Sequence, residues 1–272
     1  MTQSAMPDVQ SSFDPRNIEI DRVGIKAIKH PLTIVDGDHR QATIAECELT
    51  VALPADKKGT HMSRFVALLN AEPLVLSLAT LPDWTRRMAE LLHAQTADVL
   101  FAMPFFVEKS APVSGQKALM DYQLSLSAHL NDQGQIETQL ELVVPVTSLC
   151  PCSKEISSYG AHNQRSHVTV TVRVTDASLS IVDLIGKIED QGSCALWGLL
   201  KRPDEKYITE YAFDHPKFVE DMIRDVAGTL ADYPGIDGYR VTVENFESIH
   251  NHIAGFSINF LAAPAPLSLH LG

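Results

Sequence analysis

The chain has 272 residues, 45% of them hydrophobic and 21% charged, with a formal net charge of −12. That is ample material for a core, while the charge disfavours nucleic acid and no apolar run approaches the ~20 residues of a membrane-spanning helix. Four cysteines are too few for a disulfide framework at this size, so a reducing, cytoplasmic setting is expected.

Met1 to Pro15 is polar and lacks the basic-then-apolar order of a secretory signal, so it reads as a loose tail. Ile18 to Thr33 alternates as a strand, and Gln41 to Leu53 reads as its partner, ended by Pro54. His61 to Asn70 is helical in pattern, with Phe65, Leu68 and Leu69 on one face. Asp83 is a candidate cap for a second helix whose stripe is Trp84, Met88, Leu91 and Leu92. Val99 to Val107 is a strand, and Gly115 marks a turn. Leu119 to Leu130 alternates, Asn131-Asp132-Gln133-Gly134 makes a hairpin turn, and Ile136 to Thr147 follows as a strand.

Val168 to Val174 alternates again, and Ile181, Leu184, Ile185 and Ile188 have helical spacing in a helix expected to end near Leu200. Asp214 and Pro216 read as the start of a further helix with the stripe Val219, Met222, Ile223, Val226 and Leu230. Tyr239 to Phe246 and Ala254 to Phe260 read as closing strands. Two strands, two helices, then strands again, used twice, predicts an α+β chain with largely antiparallel sheets and helices on one face. The remaining face and the long edges need a cover, which a symmetric oligomer supplies.

The chemistry-bearing stretch is Leu149-Cys150-Pro151-Cys152-Ser153-Lys154, followed by Tyr159-Gly160-Ala161-His162-Asn163-Gln164-Arg165-Ser166. A thiol pair and an imidazole on a loop at a strand end suit zinc, iron or another borderline divalent ion. Glu205 in a charged loop, Glu220 near a helix start, and His250 and His252 between the last two strands complement it. Taken singly, each is most often a solvated surface group. They gain weight because thiol, imidazole and carboxylate all fall in one half of the chain. Basic residues near Lys57–Arg64 and Lys201–Lys206 offer cations for an anionic substrate despite the net charge.

Three strings carry a resemblance: Val144 through Ile156 with Tyr159 through Ser166; Lys201-Arg202-Pro203-Asp204-Glu205-Lys206; and Glu244-Asn245-Phe246-Glu247-Ser248-Ile249-His250-Asn251-His252. Together they resemble the type IB GTP cyclohydrolase I family, from about Ile18 to Phe260. The resemblance implies the tunnelling fold, with two strand-strand-helix-helix-strand-strand modules. The corresponding boundaries are a tail over 1–17, modules over 18–115 and 116–262, and a tail over 263–272. It also implies a homotetramer with sites between subunits, no nucleic-acid or membrane partner, and conversion of GTP and water to 7,8-dihydroneopterin triphosphate and formate. One divalent metal per site, zinc, manganese or iron, is implied.

By this resemblance Cys150, His162, Glu205 and His250 hold the metal, Cys150, His162 and His250 are catalytic, and His252 is the reserve. Glu220 anchors the guanine edge, and His61, Ser63, Arg64, Lys201, Arg202 and Lys206 are candidates for the triphosphate. Two other readings have discriminators. A related nitrile reductase would need NADPH and a Glu-Ser-Lys run, which the sequence lacks. A metal-storage protein would show a site closed by protein ligands and no turnover.

Overall fold

The structure, a computed structural model, describes residues 9–260. In chain order its elements are β1 (Ile20–Asp36), β2 (His39–Leu53), α1 (Met62–Leu69), β3 (Val75–Leu76), α2 (Leu81–Leu92), β4 (Ala97–Ser110), β5 (Lys117–Leu130) and β6 (Ile136–Leu149). There follow α3 (Pro151–Ile156), β7 (Asn163–Val174), α4 (Ile181–Glu189), α5 (Arg202–Asp214), α6 (Val219–Ala231), β8 (Ile236–Phe246) and β9 (Ile253–Asn259). The strands are hydrogen-bonded in the order β3-β1-β2-β4-β5-β6-β7-β8-β9. The pairs β2–β4, β7–β8 and β8–β9 are antiparallel, and the two-residue β3 runs parallel to β1. The class is α+β with a large, mostly antiparallel sheet, as the alternation of the sequence predicts.

By compactness the chain falls into two units. One comprises the described residues through Val35, with Ala42–Ala102 and Leu126–Thr138. Its core includes Leu49 and Val51 of β2, Val99 and Phe101 of β4, Phe65 of α1 and Met88 of α2, all 0–1% exposed. Trp84 of α2 meets Phe101 edge-on at a centroid distance of 5.2 Å, which seats the helix on the sheet. Asp98 accepts from Arg22 at 3.0 Å and lies 2.7 Å from the His129 ring nitrogen. The segment expected as a loose tail is tied down where it is described. Gly59 and Lys58 donate backbone bonds to Gln10 and Ser12, Asp14 donates to Asp56, and Asp14 pairs with Arg16. The expected tail over 263–272 lies outside the described residues.

The second unit comprises Asp36–Gln41, Met103–Ser125 and the described residues from Gln139. Its core is built on period two. Leu140, Leu142, Val144 and Val146 of β6, Val168, Val170 and Val172 of β7, and Val241 and Val243 of β8 are each 0% exposed. Helix α6 adds Met222, Ile223, Val226 and Leu230, and α4 adds Ile181, Leu184, Ile185 and Ile188. Each fully buried side chain of this kind contributes about 1.5–3 kcal/mol of transfer free energy.

Several boundaries differ from the sequence reading. Thr80, not Asp83, is the cap position of α2, and Asp83 lies in its first turn. Helix α4 ends at Glu189, not near Leu200, and α6 begins at Val219 behind Phe218 rather than at Asp214. The largest difference is α5. Glu205 lies in a 13-residue helix and not in a charged loop. Only Asp204 and Ala212 of α5 are fully buried, so its apolar stripe is too narrow to register as a 3.6-residue period.

Candidate functional site

Strand β6 delivers the site. Its last residues are pinned from one side by the loop after α4. Thr147 N donates to Cys194 O at 2.8 Å, Ser193 N donates to Thr147 O at 2.9 Å, and Leu149 N donates to Ser193 Oγ at 3.0 Å. That loop must pass close, since a Cβ on Gly192 would lie 2.8 Å from Val146 Cβ. It is held from behind by a buried ion pair. Lys109 Nζ donates to both Glu189 carboxylate oxygens at 2.7 Å and to Leu196 O at 2.6 Å. Tyr122 OH donates to Glu189 Oε1 at 2.7 Å, and burial, with the Glu189 charge, pushes the Tyr122 hydroxyl well above its usual range.

Cys150 takes the cap position of the short helix α3, and Pro151 occupies the first turn, where a missing N–H costs nothing. Its Sγ accepts from Ser153 N at 3.5 Å. The histidine twelve residues on returns to the same point. Cys150 N donates to His162 O at 3.1 Å, Ser153 Oγ donates to Cys150 O at 3.1 Å, and His162 N donates to Ser153 Oγ at 3.1 Å. The thiol and the imidazole therefore sit on two backbone segments bonded to each other. Cys150 is partly exposed and Cys152 is exposed, while Cys47 and Cys194 are buried; all four thiols are free. Burial pushes Cys47 up to about 12, with Glu46 adding to it, and burial also raises Cys194, so neither is a ready thiolate.

Helix α5 and the segment leading into α6 dock on this turn. Leu149, Cys194 and Ala212 form a small buried cluster joined by Ala161, Trp197 and Ile208. Beside it is a cavity of about 210 Å³ lined by Thr147, Asn163, Cys194, Trp197, Ile208 and Thr209, among others. Lys217 N donates to Leu149 O at 3.0 Å, which ties the segment leading into α6, whose first turn carries the exposed Glu220, to the residue before Cys150. Lys154 donates to Phe213 O and lies 4.3 Å from the Phe213 ring centre. Glu205 shares the face of α5 that carries Ile208 and Ala212, but its carboxylate accepts from Arg202 at 2.9 Å.

The start of α5 is fixed by Asp204, which is 0% exposed. Its carboxylate accepts from Val113 N, Ser114 N, Ser114 Oγ and Lys201 N at 2.9, 2.8, 2.6 and 2.8 Å. Burial alone would raise this carboxyl, but the bonds from Ser114, Lys201 and Val113 outweigh it and hold the group well below the usual carboxylate range. A carboxyl depressed in the folded state stabilises fully above its unfolded value, about pH 4, and loses that contribution as pH falls toward the folded value. Asp204→Asn is therefore expected to lower the urea midpoint at pH 7. The drop in midpoint between pH 5 and pH 3 is expected to be smaller in the variant than in the parent.

His250 and His252 lie in the exposed turn between β8 and β9, their rings stacked at 4.9 Å and 13°. Among the described residues, no three His, Cys, Asp or Glu side chains are gathered closely enough to hold an ion. One chain thus brings together Cys150 and His162 and leaves Glu205 and His250 apart from them. Lys201, Arg202 and Lys206 are exposed on the first turns of α5, and Lys206 pairs with Glu210. His61, Ser63 and Arg64 belong to the other unit, at the start of α1, with Arg64 donating to Leu91 O at 3.0 Å.

The sequence reading did not single out Ser148, Gln164, Ser166 and Asn245, the buried polar residues whose hydrogen bonds lead to His162. Their signal was available: each is a polar residue at an inward-facing position of an otherwise aliphatic strand.

Comparison with known proteins places the chain. The family described as type I GTP cyclohydrolase folE2 matches residues 6–255. The GTP cyclohydrolase FolE2 of Bordetella petrii is 57% identical over 251 residues, covering 92% of this chain and 94% of its own. That of Bordetella pertussis is 56% identical over 253 residues, covering 92% and 94%, and that of an Azoarcus species 53% over 251 residues, covering 92% and 93%. Among solved structures, a hyper-thermostable uricase mutant superposes with a TM-score of 0.50 at 8% identity, covering 91% of this chain and 94% of that one; at that identity the likeness concerns the fold alone. Matched over nearly its whole length and more than half identical to these relatives, the chain belongs to the type I GTP cyclohydrolase folE2 family.

Proposed function

We propose that the chain is a GTP cyclohydrolase I, opening the imidazole ring of GTP by hydrolysis to give 7,8-dihydroneopterin triphosphate and formate, the first step of folate biosynthesis. The observation that carries this reading is membership of the folE2 family over residues 6–255, in which the Cys150 turn and the His162 strand are bonded directly to each other. The finer architecture we propose is the tunnelling fold with two modules, assembled as a homotetramer. Ile156, Tyr159 and Ile249 support a second copy at the site, being 85%, 101% and 60% exposed on the segments that flank it.

Thiolate and imidazole are the donor chemistry of a borderline divalent ion, so the residues present fit the metal that the reading requires, whether zinc, manganese or iron. Cys150, His162, Glu205 and His250 would hold it, the last two reaching it by rearrangement or from a neighbouring copy. When bound, such an ion supplies a water acidic enough to attack C8 of the purine. The chain's own residues do the rest. Glu220 accepts the N–H groups of the guanine edge, a bond whose loss would leave a carboxylate unpaired, and so it rejects other bases. His250, with His252 stacked against it, moves a proton to the ring nitrogen as the C8–N9 bond opens and another as formate leaves. Lys201, Arg202 and Lys206, with His61, Ser63 and Arg64 as further candidates, pair with the triphosphate.

Purified protein reconstituted with zinc, manganese or iron in turn is expected to release formate from GTP and to yield a fluorescent pterin after oxidation. Absence of formate with all three metals would overturn the reading.

A further inference from the structure

The inward faces of β6, β7 and β8 change character at the same end. Val144 and Val146 of β6 are followed by Ser148, Gln164 and Ser166 of β7 precede Val168, and Val243 of β8 is followed by Asn245. Ser148 and Ser166 are 0% exposed, Asn245 4% and Gln164 9%. Four polar side chains buried at the rim of an aliphatic core cost stability unless each is bonded. Here they bond one another, in a chain that ends on His162.

The distances fix the direction of that chain. Ser166 Oγ lies 2.6 Å from Asn245 Oδ1 and 2.9 Å from Ser148 Oγ. A carbonyl oxygen accepts only, so the single Ser166 proton goes to Asn245 and the Ser148 proton goes to Ser166. Ser148 Oγ is then the acceptor for Gln164 Nε2 at 2.7 Å. That leaves Gln164 Oε1 facing His162 Nδ1 at 3.1 Å. An acceptor there requires a proton on Nδ1. Turning the Gln164 amide over would set its carbonyl oxygen against Ser148 Oγ, whose single proton already goes to Ser166, and leave two acceptors facing each other.

We propose that this buried relay fixes His162 as the Nδ1–H tautomer, so that Nε2 is the nitrogen presented to a divalent cation, with Gln164 as the positioning residue. The backbone of His162 is already registered to Cys150 by the Cys150 N to His162 O bond. The relay adds the missing degree of freedom, the rotation and protonation of the ring. Partners that hold a ligand's second nitrogen sharpen its basicity and orientation, and their removal weakens metal binding about 10–100-fold. The role given to Nε2 rests on the cyclohydrolase reading; the tautomer does not.

The test uses the full chain in its native assembly, stripped of metal. Long-range proton–nitrogen NMR, assigned with His162→Ala, is expected to show neutral His162 protonated on Nδ1. Chelator competition with zinc is expected to give an affinity about 10–100-fold weaker in Gln164→Leu, with most of it restored in Gln164→Glu, which keeps the acceptor. Should Gln164→Leu fail to fold, Ser166→Ala carries the binding arm and is expected to lose affinity severalfold. A proton on Nε2 in the wild type, or undiminished zinc affinity in a folded relay variant, would overturn the proposal. Wild-type protein with the Nδ1–H tautomer that takes up no zinc would overturn the role of Nε2. Formate release from GTP, measured alongside, distinguishes that outcome from failure of the cyclohydrolase reading.

Discussion

Cys150→Ala is expected to abolish formate release from GTP while the protein keeps its fold. The two halves of that expectation rest on different observations. Structurally the side chain does little: its sulfur accepts one 3.5 Å contact from Ser153 N at the start of a six-residue helix. Losing a cap of that kind costs about 1 kcal/mol. The bonds that register Cys150 to His162 and Ser153 are made by its backbone and survive in alanine. Chemically the sulfur is a soft donor for a borderline divalent ion, and a cation held at such a site contributes several kcal/mol of transition-state stabilisation. Loss of about 4 kcal/mol corresponds to roughly a thousandfold in rate. Formate release and metal content check the chemical half, and the urea midpoint of the same preparation checks the structural one. Activity within about tenfold of the parent would mean that the chemistry lies elsewhere.

Lys109→Met is expected to be strongly destabilising. It leaves Glu189, 7% exposed, with a charge countered only by the Tyr122 hydroxyl, and removes the ammonium 4.9 Å above the Trp197 ring. Breaking one side of a buried pair costs about 3–5 kcal/mol, because the remaining charge is stranded in a poorly solvated place. At this chain length that is a fall in Tm of roughly 6–20 °C. The double variant Lys109→Met with Glu189→Gln is expected to regain part of the loss, since the uncompensated charge is gone. Activity should fall more steeply with temperature as well. Glu189 ends α4, and the loop beyond it carries the Ser193 and Cys194 bonds that hold Thr147 and Leu149. Thermal and urea unfolding of the single and double variants measure the coupling directly; equal midpoints for the parent and Lys109→Met would contradict it.

The elements most visible in the sequence are those whose burial is one-sided. Strands β6, β7 and β8 alternate because one face meets the core, and α6 repeats every three to four residues for the same reason. The weakly patterned elements were misplaced. Helix α5 is held at its start by the Asp204 bonds to Val113 and Ser114, about ninety residues earlier in the chain, and no local period records such a partner. Helix α3 is too short for a period and exists because Cys150 and Pro151 cap its first turn.

The same division runs through the site. Residue types and spacing by themselves singled out the groups able to carry chemistry: a thiol pair, an imidazole ten residues after Cys152, one carboxylate read in a charged loop, another near a helix start, and a late histidine pair. Reactivity belongs to side chains, so it is written directly in the sequence. Only the tertiary structure decided which of these groups meet. It bonded the Cys150 turn to His162, tied the segment before α6 to Leu149, left Glu205 on Arg202, and buried Ser148, Gln164, Ser166 and Asn245 as one polar chain beneath the imidazole. Hydrogen-bond direction and approach depend on which strands are neighbours, and strand neighbours are chosen by burial over the whole fold rather than by residues close in sequence.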